Sequence, residues 1–211
     1  MSGQDPKGAR GYHHGNLREA LIETALRLIA EHGPGGFAFS DVARAVGVSP
    51  AAPYRHFRDR NALVAEIARR GFERFAAELE LAWGDGRPDP VTGLERCGRA
   101  YLDFARREPA SFAAMFGADA ARDTDPALRR AGDAAFAVLR RAAEAVCARR
   151  PSAPGRPPPL MVALHVWSMA HGVAALFVAA PEGGRMRLPM TPEDLLEAGL
   201  LVYLQSLGLV S

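Results

Sequence analysis

The chain has 211 residues, a mass of 22.6 kDa and 48% hydrophobic residues, which is enough apolar material for a real core and excludes a mainly disordered protein. The formal net charge is only +2, so bulk charge does not indicate nucleic-acid binding, and a DNA-binding role needs a local constellation of residues. Cys97 and Cys147 are too few for a disulfide framework and favour a reducing, cytoplasmic setting.

The amino-terminal segment differs in character from the rest of the chain. Residues 1–15 are polar and glycine-rich, lack the apolar segment of a signal peptide, and indicate a flexible arm. From Asn16, which can cap a helix, apolar side chains recur every three or four positions as far as His32, and Gly33 is a stop signal. A first helix is therefore expected over 17–32.

Two short helices are expected next. Ser40 can cap the first, over Asp41–Val46, and Ser49 can cap the second, with Pro50 at its first position. Gly47-Val48-Ser49 joins them, and the glycine permits a left-handed turn. This pattern predicts a helix-turn-helix, although an ordinary helical hairpin with a solvated outer face has the same spacing.

Apolar residues at helical spacing continue through the rest of the chain, and no run alternates with a period of two, so the predicted fold class is all-α. The further helices are expected at about 59–81, 91–107, 109–116, 126–149, 160–180 and 192–207. Trp83–Pro90 is a cluster of helix breakers, which divides the chain into a head over 16–82 and a body over 91–211. Pro151–Pro159 is expected to be a stiff connector.

Leu160–Ala180 carries no charged side chain and is long enough to cross a bilayer. His165, Ser168 and His171 within it are costly in lipid, so we expect a helix buried inside a helical body and no membrane contact. Together with 192–207 it offers more apolar surface than one pocket needs, so these two are the predicted dimerisation helices.

Several motifs of the head occur in one order and spacing. They are Tyr12-His13-His14-Gly15-Asn16-Leu17-Arg18, Phe39-Ser40-Asp41-Val42-Ala43, Gly47-Val48-Ser49, and Tyr54-Arg55-His56-Phe57 followed by Arg58-Asp59-Arg60-Asn61-Ala62-Leu63. Over residues 12–70 the chain thereby resembles the tetracycline repressor (TetR) family of bacterial transcription regulators. The resemblance implies an all-helical homodimer with a three-helix DNA-binding head and a helical ligand-binding and dimerisation body.

The resemblance also implies roles for single residues. Tyr54 and His56 fall on the tyrosine and histidine that hold DNA phosphates in the family, and Arg60 stands where a basic residue opens the following helix. The full set of predicted DNA-facing residues is Ser40, Arg44, Ser49, Ala51, Ala52, Tyr54, Arg55, His56 and Arg60.

The chain departs from the family pattern at Pro50-Ala51-Ala52-Pro53. Pro53 is expected to push Ala52 away from α geometry, so that the recognition helix begins with an irregular turn. The two alanines offer no side-chain hydrogen bonds, and polar base readout then falls to Arg44, Ser49 and Arg55. Arg44 either reads a guanine or only grips phosphate.

In the body, Trp167-Ser-Met-Ala-His171-Gly172 resembles a segment of one TetR subgroup. Trp167 and His171 share a helix face and either contact a ligand or merely pack, with Gly172 permitting a close approach. The predicted ligand-binding residues, which either line a cavity or fill it, are Tyr101, Phe104, Phe112, Met115, Phe116, Phe136, Trp167 and His171.

The sequence contains no motif of a metalloprotease, a zinc ribbon, a serine hydrolase or a dinucleotide-binding enzyme, and we expect neither catalysis nor a cofactor. His165 and His171 point to different faces and His13-His14 lies in the arm, so no metal site is expected. We interpret the chain as a DNA-binding regulator, expected to be a repressor released from a near-palindromic operator by a largely apolar effector. The alternatives are a helical carrier or enzyme with a docking head, and an architectural DNA binder without an effector.

Overall fold

The structure, a computed structural model, describes residues 17–117, 125–150, 156–178 and 189–210. Its α-helices within those ranges are α1 (Leu17–His32), α2 (Phe39–Val46), α3 (Arg60–Trp83), α4 (Pro90–Arg107), α5 (Pro109–Gly117), α6 (Pro126–Ala148), α7 (Pro159–Val173) and α8 (Pro192–Ser206). Short 3-10 helices cover Pro53–Arg55 and Gly84–Gly86, and a π turn over Ala174–Val178 extends α7. The described residues contain no strand, and the all-α prediction is confirmed.

Helix starts follow capping chemistry. Asp59, Asp89 and Asp125 each precede a helix, and their carboxylates accept hydrogen bonds from first-turn amides at 2.8 to 3.0 Å. The prolines at 109, 126 and 192 open helices, as predicted. The bounds of α1 match the prediction, whereas the predicted cap Asn16, the arm and the predicted end at Ala180 lie outside the described residues.

The prediction that Ser40 caps α2 is wrong. The helix begins two residues earlier, at Phe39, and Ala38 occupies the N-cap position. The carboxylate of Asp41 accepts a hydrogen bond from the Ala38 amide at 2.8 Å, so the cap comes from inside the first turn. Ser40 is left on the exposed face of the helix.

The predicted α-helix capped by Ser49 is also wrong. The recognition segment, residues 49–57, is a turn followed by the 3-10 helix Pro53–Arg55. Its amides bond three residues back, from Ala52 to Ser49 at 3.0 Å and from Arg55 to Ala52 at 3.2 Å, because Pro53 has no N–H to reach Ser49. Ala52 nevertheless has φ −63° and ψ −41°, so the expected displacement of this residue from α geometry does not occur.

One hydrophobic core joins head and body. It includes Leu21 of α1, Val42 of α2 and Phe57 from the head, and Tyr101 of α4 from the body. Helix α3 packs against α1 of the head and against α4, α5 and α6. Head and body therefore share apolar packing through this helix.

By length and composition, Pro159–Val178 is the one helix of the described ranges able to span a membrane. Within the fold it packs against α4, α6 and α8. The expectation that it is buried on two sides is not met, since Leu160, Met161, Leu164 and Leu176 are exposed along it. The stiff connector was predicted over Pro151–Pro159, but Pro159 is already the first residue of α7. Residues 151–155 of this connector lie outside the described ranges.

A network of ion pairs fastens α1 to the first half of α3. Glu66 accepts hydrogen bonds from Arg69 and Arg70 on its own helix and pairs with Arg18 of α1 at 2.9 Å. Arg70 also binds both carboxylate oxygens of Glu19 at 2.6 and 2.7 Å. Burial alone would raise the pKa of Glu66, but the three arginines outweigh it and lower that pKa to about 2.

Substituting Glu66→Gln tests how much this network stabilises the head. At pH 7 the free energy of unfolding should fall by about 2–3 kcal/mol, because three guanidinium groups lose their shared charged partner. The stabilisation belongs to the ionised carboxylate, so it is complete above the ordinary glutamate pKa and is lost as the pH falls towards 2. Urea unfolding of both chains between pH 7 and pH 3 measures the difference.

Glu73→Gln is the matched control, since that carboxylate is exposed and Arg69 is its one ion-pair partner among the described residues. It should change stability by less than about 0.5 kcal/mol. If the stability difference between Glu66→Gln and the unchanged chain stayed constant as the pH fell, the shape of the side chain and not its charge would matter at this position.

Candidate DNA interface and ligand pocket

The turn between α2 and the recognition segment has the geometry that the sequence predicts. Gly47 has φ 79°, which is left-handed, and its amide bonds to the carbonyl of Arg44 at 3.1 Å. The Val48 amide bonds to the Ala43 carbonyl at 3.0 Å. Ala43 is buried while Val48 is half-buried, so the inner angle is only partly filled.

Most of the predicted DNA-facing side chains are accessible to solvent. Ser40, Arg44, Ser49, Ala51, Tyr54, Arg55 and His56 are exposed, while Ala52 and Arg60 are half-buried. Pro53 between them is buried. The exposed side chains supply hydroxyl, imidazole and guanidinium groups, and Ala51 and Ala52 are the small apolar residues of the set.

Tyr54 is held by an aromatic contact with α2. Its ring meets the ring of Phe39 edge to face, with the centroids 5.0 Å apart. Phe39 is buried, whereas Tyr54 remains 60% exposed. The contact fixes the ring and leaves the phenol available to a partner outside the protein.

Arg44 is the predicted base-reading residue, and it does not extend freely into solvent. Its guanidinium pairs with the carboxylate of Asp41, three residues earlier on α2, although its side chain is 76% exposed. The carboxylate that caps α2 thus also orients Arg44. An arginine restrained in this way loses less side-chain entropy on binding a guanine than a free one does.

Arg60 sits differently from the other predicted phosphate contacts. Its guanidinium lies over the ring of Phe37, 4.8 Å from the centroid, and donates a hydrogen bond to the Asn61 side chain at 3.0 Å. Its Nε is buried without a hydrogen-bond partner among the described residues. Arg60 is thereby fixed at the start of α3.

In the body, the predicted ligand-binding residues form an aromatic cluster. The Tyr101 hydroxyl lies 3.0 Å from Nδ1 of His171, and the rings of Phe112 and Phe116 pack on the imidazole at 5.6 and 4.4 Å. Burial lowers the pKa of His171 and raises that of Tyr101. This geometry supports the packing interpretation, in which a neighbour satisfies the histidine.

Gly172 does not fit the close approach expected for it. A Cβ atom built there meets no atom of the described protomer within 4 Å. The residue lies on the same side of α7 as the exposed His165, whose Nδ1 is 2.8 Å from the Tyr203 hydroxyl of α8. His165 and His171 therefore point apart, as predicted, and the described residues contain no cluster of side chains able to hold a metal.

A pocket of about 260 Å³ opens beside the aromatic cluster. Its lining residues are Phe72, Arg129, Gly132, Asp133, Phe136, Leu164, Trp167 and Ser168. Of the predicted ligand residues only Phe136 and Trp167 line it, whereas Tyr101, Phe104, Phe112 and Met115 are buried core residues. The polar residues of α6 were missed because Arg129 and Asp133 look like an ordinary solvated helix face in the sequence.

Comparisons with known proteins agree with this geometry. Residues 94–203 match the family described as "Tetracyclin repressor-like, C-terminal domain", and residues 21–67 match "Bacterial regulatory proteins, tetR family". The first match alone covers more than half of the chain. The chain belongs to the TetR family. The two matched TetR stretches lie on either side of Trp83–Pro90.

Individual proteins match this chain either over a short stretch or at modest sequence identity. The HTH-type transcriptional regulator AcrR of Shigella flexneri is 35% identical over 78 residues, which are 36% of this chain and 36% of AcrR. The chain thus spans about a third of the length of that curated relative. A solved protein of unknown function from Rhodococcus sp. RHA1 is 29% identical, with a TM-score of 0.75 and coverage of 94% of this chain and 98% of that one.

A further solved structure shares the fold. It is AibR in complex with isovaleryl coenzyme A and operator DNA, which is 21% identical, with a TM-score of 0.67 and coverage of 87% of this chain and 96% of that chain.

Tyr54→Phe and His56→Ala test the predicted phosphate contacts. Each should weaken binding to every duplex by a similar factor and leave the sequence preference intact, because phosphate contacts carry no sequence information. Titration of labelled duplexes of several sequences measures this. His32→Ala, an exposed histidine at the end of α1, is the control and should bind like the unchanged chain. A variant with altered preference and unchanged affinity would contradict the assignment.

Arg44→Ala tests base readout. If Arg44 reads a guanine, its loss should cost roughly 1–3 kcal/mol on the preferred duplex and relax the preference at one guanine in each half-site. Arg27→Ala, an exposed arginine on α1, should leave both quantities unchanged. Binding to duplexes substituted at each position distinguishes the two roles. If Arg44→Ala lost affinity equally for all of these duplexes, Arg44 would contact only phosphate.

Proposed function

We propose that this chain is a ligand-responsive DNA-binding transcription regulator that acts in the cytoplasm as a repressor, and that it is not an enzyme. The observation that carries the proposal is the exposed surface of α2 and the recognition segment, where Arg44, Tyr54 and His56 stand on a packed helical core. Such a surface enters a major groove and grips the flanking phosphates. Membership of the TetR family and the operator complex of AibR support it.

The proposed active species is a homodimer formed through α7 and α8. Within the protomer these helices leave several large apolar side chains uncovered, namely Leu160, Met161, Leu164, Leu176, Leu201 and Val202. A second copy covers them in an isologous interface, because the same two helices face each other across a two-fold axis. The operator is then a near-palindrome whose half-sites are read by the two heads.

The pocket is the proposed effector site, which distinguishes a responsive regulator from an architectural DNA binder. Its wall residue Trp167 contacts Phe116 of α5, with the ring centroids 6.4 Å apart. The next residue, Gly117, lies so close to the turn before α2 that a Cβ there would come within 2.9 Å of Pro34. A ligand that displaces the pocket wall therefore presses on the turn that leads into the helix-turn-helix.

We further propose that repression is lost by a population shift. The effector favours a dimer geometry in which the two recognition segments no longer match successive major grooves, and operator affinity falls. The size of the shift is limited by the difference in effector affinity between the two geometries.

Val202→Glu tests the dimer and the two-headed readout together. Val202 is 65% exposed, so the protomer should fold, whereas a carboxylate inside an apolar interface should weaken dimerisation at least about tenfold. Sedimentation at micromolar concentration should show monomer, and affinity for a duplex with two half-sites should fall to that for one.

Leu81→Glu is the matched control, because Leu81 is an 83% exposed apolar residue on α3, away from the proposed interface. It should remain dimeric and bind normally. The proposal fails if the unchanged chain is a stable monomer that binds one half-site as tightly as two. It also fails if the chain shows no sequence preference on duplexes drawn from the control regions of neighbouring genes.

A further inference from the structure

The pocket combines apolar walls with a polar rim. The rings of Phe136 and Trp167 lie 5.1 Å apart, and Phe72 and Leu164 complete the apolar surface. The Ser168 hydroxyl donates to the Leu164 carbonyl at 2.8 Å, so its proton is already used. The two charged side chains of the pocket lining both come from α6.

Helix α6 presents one cation and one anion at the rim. Arg129 and Asp133 are four residues apart, both exposed, and both line the pocket. Residues at this spacing are neighbours that commonly pair, as Arg140 and Glu144 do on the same helix at 3.8 Å. Arg129 and Asp133 do not pair, and neither side chain has a hydrogen bond or ion pair anywhere in the described ranges.

Gly132, which lies between Arg129 and Asp133 in sequence and also lines the pocket, adds no side chain there. A Cβ at this position would rest 3.9 Å from the Phe72 ring, in ordinary contact. A ligand can therefore lie against the aromatic wall with its polar end between a guanidinium that only donates hydrogen bonds and a carboxylate that only accepts them.

We propose that the pocket binds a small compound with an apolar ring and a polar head that carries no net charge, with an acceptor towards Arg129 and a donor towards Asp133. This inference rests on the proposed effector-responsive function. An anionic head group is attracted by Arg129 and repelled by Asp133, and a cationic head group is attracted by Asp133 and repelled by Arg129. A neutral dipolar or zwitterionic head is attracted by both. A volume of about 260 Å³ accommodates one ring and a short head.

Four compounds with a shared phenylethyl body test the proposal: phenylpropanamide, phenylalanine, phenylpropanoate and phenylethylamine. A parallel series carries a cyclohexylethyl body. Binding to the full chain without DNA is followed by quenching of Trp167 fluorescence, and Trp167→Phe assigns the signal because Trp83 is buried elsewhere, at the end of α3. In at least one series the amide and the zwitterion should bind about fivefold tighter than the acid and the amine, since each charged head meets one like charge.

Substituting either charged rim residue should change the preference between the acid and the amine, and the two substitutions should change it in opposite directions. Arg129→Gln should weaken the acid and strengthen the amine, and Asp133→Asn should do the opposite, each by about fivefold. Arg130→Gln is the matched control, because Arg130 is exposed beside the site and does not line it. The control should leave all four affinities unchanged.

Three results overturn the proposal: the acid or the amine binds most tightly to the unchanged chain in both series, the ranking is the same in both rim variants, or no member of either series quenches the fluorescence. Operator binding by the ligand-free chain is measured alongside. Its absence counts against the proposed regulatory function, whereas the head-group ranking alone decides the inference about the pocket.

Discussion

Helix α3 is the constraint on which the rest of the structure depends. Its first half is tied to α1 by the bidentate pair of Arg70 with Glu19, and its second half supplies Phe75, whose ring meets Tyr101 and Phe104 of α4 at 4.9 and 5.0 Å. The same rigid element is therefore part of the head and part of the body. Because packed cores deform in discrete steps rather than continuously, we expect a change at one end of α3 to be transmitted to the other.

The aromatic residues of the body divide between a packed cluster and the wall of the pocket. The Tyr101 hydroxyl and the His171 ring contact each other within the cluster, and Trp167 contacts Tyr101 and also lines the pocket. In the proposed function, effector and scaffold therefore share the Trp167 side chain. We expect a ligand that moves Trp167 to act on Phe116 and, through α5, on the turn before α2. This arrangement offers a short physical route from pocket to DNA surface.

Much of this fold was predictable from the sequence because helix periodicity, proline at helix starts and aspartate caps are local signals. Two of the errors in the head have equally local causes. Asp41 caps α2 from within, so Ser40 was not needed, and Pro53 removes the amide that an α-helical recognition segment requires. The pocket was only half predictable. Phe136 and Trp167 carry an apolar signal, whereas Arg129 and Asp133 become pocket residues only through the packing of α6 against α7.

Head and body are expected to form one cooperative unit through α3, and scanning calorimetry of the full chain tests this directly. We expect a single unfolding transition whose calorimetric and van't Hoff enthalpies agree once subunit dissociation is included. Glu66→Gln, which loosens α1 from α3, should shift that transition without splitting it. Two resolved transitions in the unchanged chain, with the head melting first, would show that head and body are not one cooperative unit.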